Sequence, residues 1–335
     1  MPERVRIGII GCGAIARYTH LRGYAQLTDE VEVVALADPF RENLNLLGDM
    51  HSIPADSRYV SYEDLLARDD IDAVSVCTPN YLHGPQTVDA LRAGKHVLCE
   101  KPMATTVETA MTMVEAAKDT GKILMVGFTH RYMKHNQVTK QLLDEGAIGK
   151  PFMIRVRFAH DGPYESWAAT TDWFFRPEKA GGGALLDMGI HALDICRYML
   201  GEITTVSGQL GTFGKDIALE DTAVISLGFG NHALGYIETG WSSKEGVLGL
   251  EIYGTEGSIV VDYTTPIRIF RASTRKWEEI TDAVNDSAVA EMRHFVECVK
   301  SGKQPLTSGE DGLISVKLAA AVYESAKSGC AICLD

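Results

Sequence analysis

The chain has 335 residues, enough for about two domains, and its 45% hydrophobic and 23% charged residues make an ordinary globular composition. A formal net charge of −13 argues against a nucleic-acid surface or an anionic membrane as partner, while leaving room for a locally basic pocket and an anionic substrate. No apolar run approaches a membrane span, and Met1-Pro2-Glu3-Arg4 passes straight into a strand-like run, which reads as no signal peptide and a cytoplasmic protein.

Residues 5–10 read as a buried strand. Gly11-Cys12-Gly13-Ala14-Ile15-Ala16 follows at once, a G-x-G-x-x-A dinucleotide fingerprint, and then a helix to about residue 27. Gly11 permits the tight turn, Gly13 lets the backbone approach a pyrophosphate, and Ala16 is small enough for helix–strand packing. The helix start at Ala14 and Ile15 offers unpaired amides and a partial positive charge to phosphate. The next strand, 31–37, ends at Asp38, 22 positions past Ala16 and close to the spacing of a ribose-binding carboxylate. Such a carboxylate repels a 2′-phosphate and favours NAD over NADP, although Arg41 nearby could accept that phosphate. The plainer alternative for Asp38 is a turn residue before Pro39.

The alternation continues. A helix spans 61–68, and a strand at 71–77 runs into Thr78-Pro79-Asn80. A helix follows at 82–93, and a strand at 96–99 runs into Glu100-Lys101-Pro102. A helix at 106–120 and a strand at 123–127 end this half. Strands and helices alternating at these lengths predict a doubly wound parallel sheet of the Rossmann type, with ligand beyond the carboxyl ends of its strands. Gly11, Asp38, Thr78, Asn80 and Lys101 all stand at such ends.

From Pro151 the texture changes, after a helix at 137–145. Strands are expected at 152–159, 204–212, 222–229, 233–239, 247–253, 258–262 and 267–270, with helices at 289–300 and 309–328. No helices separate the later strands, so this sheet should be open and mostly antiparallel, with one covered face. The expected division is a nucleotide-binding α/β domain at 1–128 and an α+β substrate domain at 129–335. A polar, aromatic loop, His160 to Trp167 and then Asp172 to Arg176, is long enough to suggest function. His160, Tyr164 and Trp173 in it suit a sugar ring, as do Arg131 and Tyr236 elsewhere. Core packing is the stronger reading for Tyr236 and Trp241.

Within Ala180-Gly181-Gly182-Gly183-Ala184-Leu185-Leu186-Asp187-Met188-Gly189-Ile190-His191-Ala192-Leu193-Asp194, a glycine run opens an apolar helix. Asp187, His191 and Asp194 fall at i, i+4 and i+7, one helical face. A carboxylate one turn before a histidine can orient the ring for proton transfer, and the same pair can be a satisfied core contact. The seven cysteines read as reduced thiols. Cys330 and Cys333 form a C-x-x-C but offer only two of the four ligands of a zinc site, so no metal is expected.

Gly11-x-Gly13, Cys77-Thr78-Pro79-Asn80, Gly94-Lys95-His96-Val97-Leu98-Cys99-Glu100-Lys101-Pro102 and Gly181-Gly182-Gly183 with Asp187-x-x-x-His191 together resemble the Gfo/Idh/MocA oxidoreductases. The likeness runs over nearly the whole chain, with Ala16 for the third glycine as its one departure. It implies Lys101, Asp187 and His191 as catalytic residues. Gly11, Gly13, Ala14, Ile15, Asp38, Thr78, Pro79, Asn80, His83, Glu100 and Lys101 would hold the cofactor. It also implies a C-terminal sheet whose free face forms a homodimer or homotetramer, and a cis Lys101–Pro102 bond that turns the lysine sharply out of its strand. The expected reaction is reversible oxidation of a secondary hydroxyl on a sugar, sugar derivative or cyclitol. His191 would be the base, Lys101 would stabilise the developing oxyanion, and Asp187 would orient His191 or the substrate. Two rivals are a glycosidase acting by transient ring oxidation and a non-catalytic cofactor-binding sensor. The intact catalytic set counts against the sensor.

Overall fold

Ile7, Ile9, Val74, Val76, Val97 and Leu98 are fully buried on strands whose two faces are both covered, which is why these runs read as continuous rather than alternating apolar segments. They belong to β1 (Val5–Ile10), β4 (Ala73–Val76) and β5 (His96–Cys99) of a computed structural model that describes residues 4–166, 171–244 and 246–334. Trp167 of the expected aromatic loop lies outside the described residues.

The chain divides into two units, Met1–Thr129 with Asp286–Ile314 and His130–Asn285 with Ser315–Asp335. In the first, β2 (Val31–Ala37), β3 (Arg58–Tyr59) and β6 (Leu124–Val126) complete a parallel sheet of order β3-β2-β1-β4-β5-β6. The order reverses between β1 and β4, so the crevice at their carboxyl ends is the topological switch point where ligands of such sheets bind. β3 has two residues, too few to carry a periodic signal. Helices Tyr62–Leu66 and Val107–Thr120 are capped by Ser61 and Thr106, as their sequences suggest. The helix after β1 ends at Tyr24 rather than near residue 27, and contains a π-helical stretch, Ala16–Leu21. The helix after β4 begins at Asn80.

The expected division at residue 128 does not hold for 286–314, which returns to the first unit. Helix Ser287–Ser301 buries Ala288, Met292, Phe295 and Val296, with Met292 lying against Gly23, and Arg22 pairs with Asp286 at 2.5 Å. An apolar stripe shows that a helix is amphipathic and says nothing of which surface it covers.

The described strands of the second unit are β7 (Pro151–Ala159), β8 (Ile203–Gly211), β9 (Thr222–Phe229), β10 (Leu234–Gly240), β11 (Val247–Gly254), β12 (Gly257–Asp262), β13 (Ile267–Arg271), β14 (Lys276–Ile280) and β15 (Ile332–Cys333). They form a sheet of order β14-β13-β12-β11-β7-β10-β9-β8-β15. Among the described residues every neighbouring pair is antiparallel except β7 with β10. Ile154, Val156 and Phe158 of β7 are fully buried, while Arg155 and Arg157 between them face the other way and pair with Glu251 and Glu238. β14 and β15 are additions to the sequence reading: one is an edge strand with four exposed residues and no alternation, the other has two residues. Helix Ile190–Leu200 and the π-helical stretch Leu185–Gly189 before it lie against the sheet. Among the described residues no helix is long and apolar enough to cross a membrane.

Candidate active site

The fingerprint loop of the first unit is held from below. Gly11 has φ +90°, and a Cβ there would lie 2.8 Å from the Cys77 carbonyl oxygen, so only glycine lets β1 turn beside β4. Asp38 is buried at the end of β2. Its Oδ2 accepts the Cys12 N–H at 2.7 Å, and its Oδ1 accepts the Phe40 N–H at 2.8 Å and Asn43 Nδ2 at 3.2 Å. The carboxylate therefore ties its own turn to the loop. On the open side, Gly13, Ala14 and Ile15 are exposed in succession, and a Cβ at Gly13 would meet nothing within 4 Å.

The turns after β4 and β5 are joined by His83. Its Nδ1 lies 2.7 Å from the Pro102 carbonyl oxygen and its Nε2 2.6 Å from that of Thr78. Carbonyls only accept, so a neutral ring donates to one of them and only an imidazolium donates to both. Burial lowers the His83 pKa, outweighing the opposing pull of the two carbonyls and Glu100. The ring expected to touch cofactor is thus engaged in bracing two backbone turns. The Thr78 hydroxyl donates to Gln86 Oε1 at 2.6 Å, and Asn80 is buried at the first turn of its helix. Pro79 caps that helix, and the Lys101–Pro102 bond is cis, as expected.

Beneath Lys101 lies an acid pair. Glu100 Oε1 is 2.9 Å from His20 Nε2, and its Oε2 accepts the Lys101 N–H at 3.1 Å. Burial raises the Glu100 pKa, but His20 and Lys101 outweigh it and hold the carboxyl below its usual range. Glu291, fully buried, accepts the Thr129 hydroxyl at 2.8 Å on one oxygen. Burial first, and then the Glu100 carboxylate, push the Glu291 pKa well above the usual carboxylate range, which favours its protonated form. Nothing in the pattern around residue 291 sets it apart from a surface glutamate on an amphipathic helix.

In the second unit Asp187, His191 and Asp194 stand along one helical segment, Asp187 in the π-helical stretch Leu185–Gly189 and the other two in helix Ile190–Leu200. Each of the three has a contact within this unit. Asp187 Oδ2 accepts Nε1–H of the fully buried Trp241 at 2.8 Å. Asp194 forms a buried bidentate pair with Arg131, at 2.8 and 2.6 Å, and the Arg131 guanidinium also lies over Tyr198. His191 lies with its ring centroid 4.5 Å from that of His130. Trp241 is core, as expected, and at the same time fixes the orientation of Asp187. Arg131, expected at substrate, is held in a structural ion pair.

The start of this helical segment is sealed by Glu220, which sequence reading passed over. Its Oε1 accepts the N–H of Gly183 at 2.9 Å, the N–H of Leu185 at 3.1 Å and the Tyr323 hydroxyl at 2.7 Å, and its carbonyl oxygen accepts the Ala184 N–H. Those are the unpaired donors of a helix beginning. Burial raises the Glu220 pKa against these bonds. A Cβ at Gly183 would stand 2.0 Å from the Glu220 carbonyl oxygen, which explains a glycine there.

The aromatic loop connects to this anchorage. Tyr164 lies edge-on to Phe175 at 4.4 Å, Trp173 stacks on Phe174 at 3.8 Å, and Phe175 lies 5.9 Å from Trp241. The Tyr164 hydroxyl is buried with no hydrogen-bond partner among the described residues. His160 Nδ1 accepts the Gly162 N–H at 2.9 Å, and Tyr236 lies under Arg155 on the sheet. Among the described residues no three His, Cys, Asp or Glu side chains converge on a metal-sized site, and Cys330 and Cys333 are exposed free thiols.

Two family models match the chain: an oxidoreductase family with an NAD-binding Rossmann fold over residues 5–128, and the GFO/IDH/MocA C-terminal domain over residues 136–260. Among curated proteins, the 1,5-anhydro-D-fructose reductase of Ensifer adhaerens is 32% identical over 97% of this chain and 97% of its own. The myo-inositol 2-dehydrogenase of Thermotoga maritima is 28% identical over 96% of each. Among solved structures, a levoglucosan dehydrogenase in complex with NADH and L-sorbose superimposes with a TM-score of 0.92 at 25% identity, covering 99% of both chains.

Proposed function

Because the chain belongs to the Gfo/Idh/MocA oxidoreductases, we propose that it is an NAD-dependent dehydrogenase of a secondary hydroxyl on a sugar, sugar derivative or cyclitol. The observation that carries this reading is the fingerprint loop, pinned by Asp38 on its buried side and bare at Gly13 on its open side. A surface without a side chain at a helix start, at the switch point of a parallel sheet, fits a dinucleotide pyrophosphate. Gly11, Gly13, Ala14 and Ile15 would hold that group. Asp38 would hold a ribose, with Thr78, Pro79 and Asn80 lining the next strand end. When bound, NAD supplies a nicotinamide ring that takes up hydride.

The chain's own residues handle the proton and the charge. His191 removes the hydroxyl proton as it becomes an imidazolium, and Lys101 bonds the oxygen as negative charge develops on it. Asp187, with one oxygen fixed by Trp241, orients the His191 ring or the substrate hydroxyl. Tyr164, Trp173, His160 and Tyr236 are assigned to the sugar side. The names of the relatives, a reductase of an anhydro sugar and an inositol dehydrogenase, support that substrate class. The open face of the second sheet, with its Arg155–Glu251 and Arg157–Glu238 pairs, is assigned to a homodimer or homotetramer, and the cytoplasm is the assigned compartment.

A panel of sugars and cyclitols with NAD, followed by NADH absorbance, tests the function. Net NADH with at least one of them is expected, and release of an aglycone without NADH would replace this reading by the glycosidase one. Asp38→Ser should narrow the preference for NAD over NADP. Light scattering reports the oligomer.

A further inference from the structure

His130 was not singled out by sequence, yet it lies against the proposed base. Its ring centroid is 4.5 Å from that of His191, at an interplanar angle of 47°, and it is buried. Hydrogen-bond direction fixes its protonation. Asn136 Nδ2 lies 2.8 Å from the His130 carbonyl oxygen and 2.8 Å from Tyr263 Oη. A carbonyl only accepts, so the atom facing it is the amide NH₂ and not its oxygen, and the second N–H is directed to Tyr263. The Tyr263 oxygen therefore accepts from Asn136. Burial keeps the phenol protonated. Its one remaining partner among the described residues is His130 Nδ1, at 3.1 Å. A buried hydroxyl hydrogen with no acceptor is costly, so Tyr263 donates to Nδ1, and the ring proton of His130 sits on Nε2.

We propose that His130 is a positioning residue for His191, held as a neutral imidazole by the Asn136–Tyr263–His130 chain. Protonating Nδ1 would turn that nitrogen into a donor and leave the buried Tyr263 hydroxyl hydrogen with no acceptor among the described residues. Around the ring lie both aromatic and charged groups. Phe158 covers it at 4.6 Å, and His135, stacked on Tyr263, has its pKa lowered by burial. Asp262, which bonds Thr264, acts on His135, and the Arg131–Asp194 pair is internally neutralised. His191 is then the member of the pair that titrates. As it gains a proton it meets an uncharged ring rather than a second cation, which would lower its basicity.

The inference rests on the reading of His191 as the base, but its test is separate. Nitrogen NMR of the full chain with labelled histidine, with His130 assigned by its loss in His130→Asn, should show the proton on Nε2 throughout about pH 5–8 while His191 titrates. Tyr263→Phe removes the donor without changing the ring. His130 should then titrate, and the His191 midpoint and the matching limb of the kcat profile should move down by about one unit, as a like charge nearby demands. A wild-type His130 that carries its proton on Nδ1, or is doubly protonated near neutrality, overturns the proposal, as does a folded Tyr263→Phe protein whose His191 midpoint does not move. If His191→Ala turns over normally, the base assignment fails instead, and the tautomer of His130 is untouched by that result.

Discussion

In the parallel-sheet unit the candidate residues come one after another from strand ends: Gly11 after β1, Asp38 after β2, Thr78 after β4, Lys101 after β5. In the antiparallel-sheet unit Asp187 and His191 come from a helical segment anchored by distant elements: Trp241 after β10 bonds Asp187, His130 from the stretch after β6 lies against His191, and Glu220 before β9, itself bonded by Tyr323 of the Gly309–Ser328 helix, holds the start of the segment. The first unit places its groups by backbone topology, because parallel strands necessarily deliver their ends to one edge. The second places them by side-chain bonds across long sequence separations.

The largest expected effect tests whether the two units divide the labour. His191→Ala and Lys101→Ala should each lower kcat by about 10²–10⁴, the worth of a positioned proton-transfer or charge-stabilising group. Fluorescence titration should find NAD affinity little changed in His191→Ala. Parallel loss of NAD binding in that variant would break the division.

A smaller effect compares two glycines. Gly183→Ala pushes a Cβ to 2.0 Å from a backbone oxygen, so it should cost about 1–3 kcal/mol in urea unfolding and lower kcat with it. Gly13→Ala projects into open space, so its unfolding midpoint should stay put while NAD binding weakens. Equal stability losses would show that both loops are built alike.

The smallest effect is a slope. The folded pKa of Glu291 is raised, so between the unfolded value, about 4.3, and the folded one the native state keeps a proton that the unfolded chain has lost. Its contribution is therefore full below that window and falls as pH rises through it, by up to about 1.4 kcal/mol per pH unit. Glu291→Gln cannot lose that proton. Urea midpoints measured at several pH values should fall less steeply toward alkaline pH than in the wild type, and parallel curves would mean that Glu291 is ionised when folded.

This difference also decides what sequence could show. G-x-G-x-x-A, Thr78-Pro79-Asn80 and Glu100-Lys101-Pro102 are local, so fingerprint, strand end and turn were readable together, down to the cis proline. Asp187 and His191 were readable as residues, but not their setting. The single helical face was read with 3.6 residues per turn, while the π-helical stretch at Leu185–Gly189 carries no mark in the sequence pattern. Trp241 was recognised as core from its apolar bulk, while its N–H partner, 54 positions away, leaves no mark in a local pattern. Glu220, His130 and Glu291 are defined by burial among particular partners, and burial of a polar side chain has no periodicity to read.

The chain enters the first unit twice, at Met1–Thr129 and again at Asp286–Ile314, and the helix Gly309–Ser328 begins in one unit and ends in the other. The gene is therefore not modular at the point where its motifs suggest a seam. A chimera joined near residue 129 would pair one parent's sheet with the other parent's Met292, Glu291 and Asp286, leaving Gly23, Thr129 and Arg22 with foreign counterparts. Exchange of nucleotide specificity between relatives by recombination should succeed only when residues 286–314 travel with the first 129.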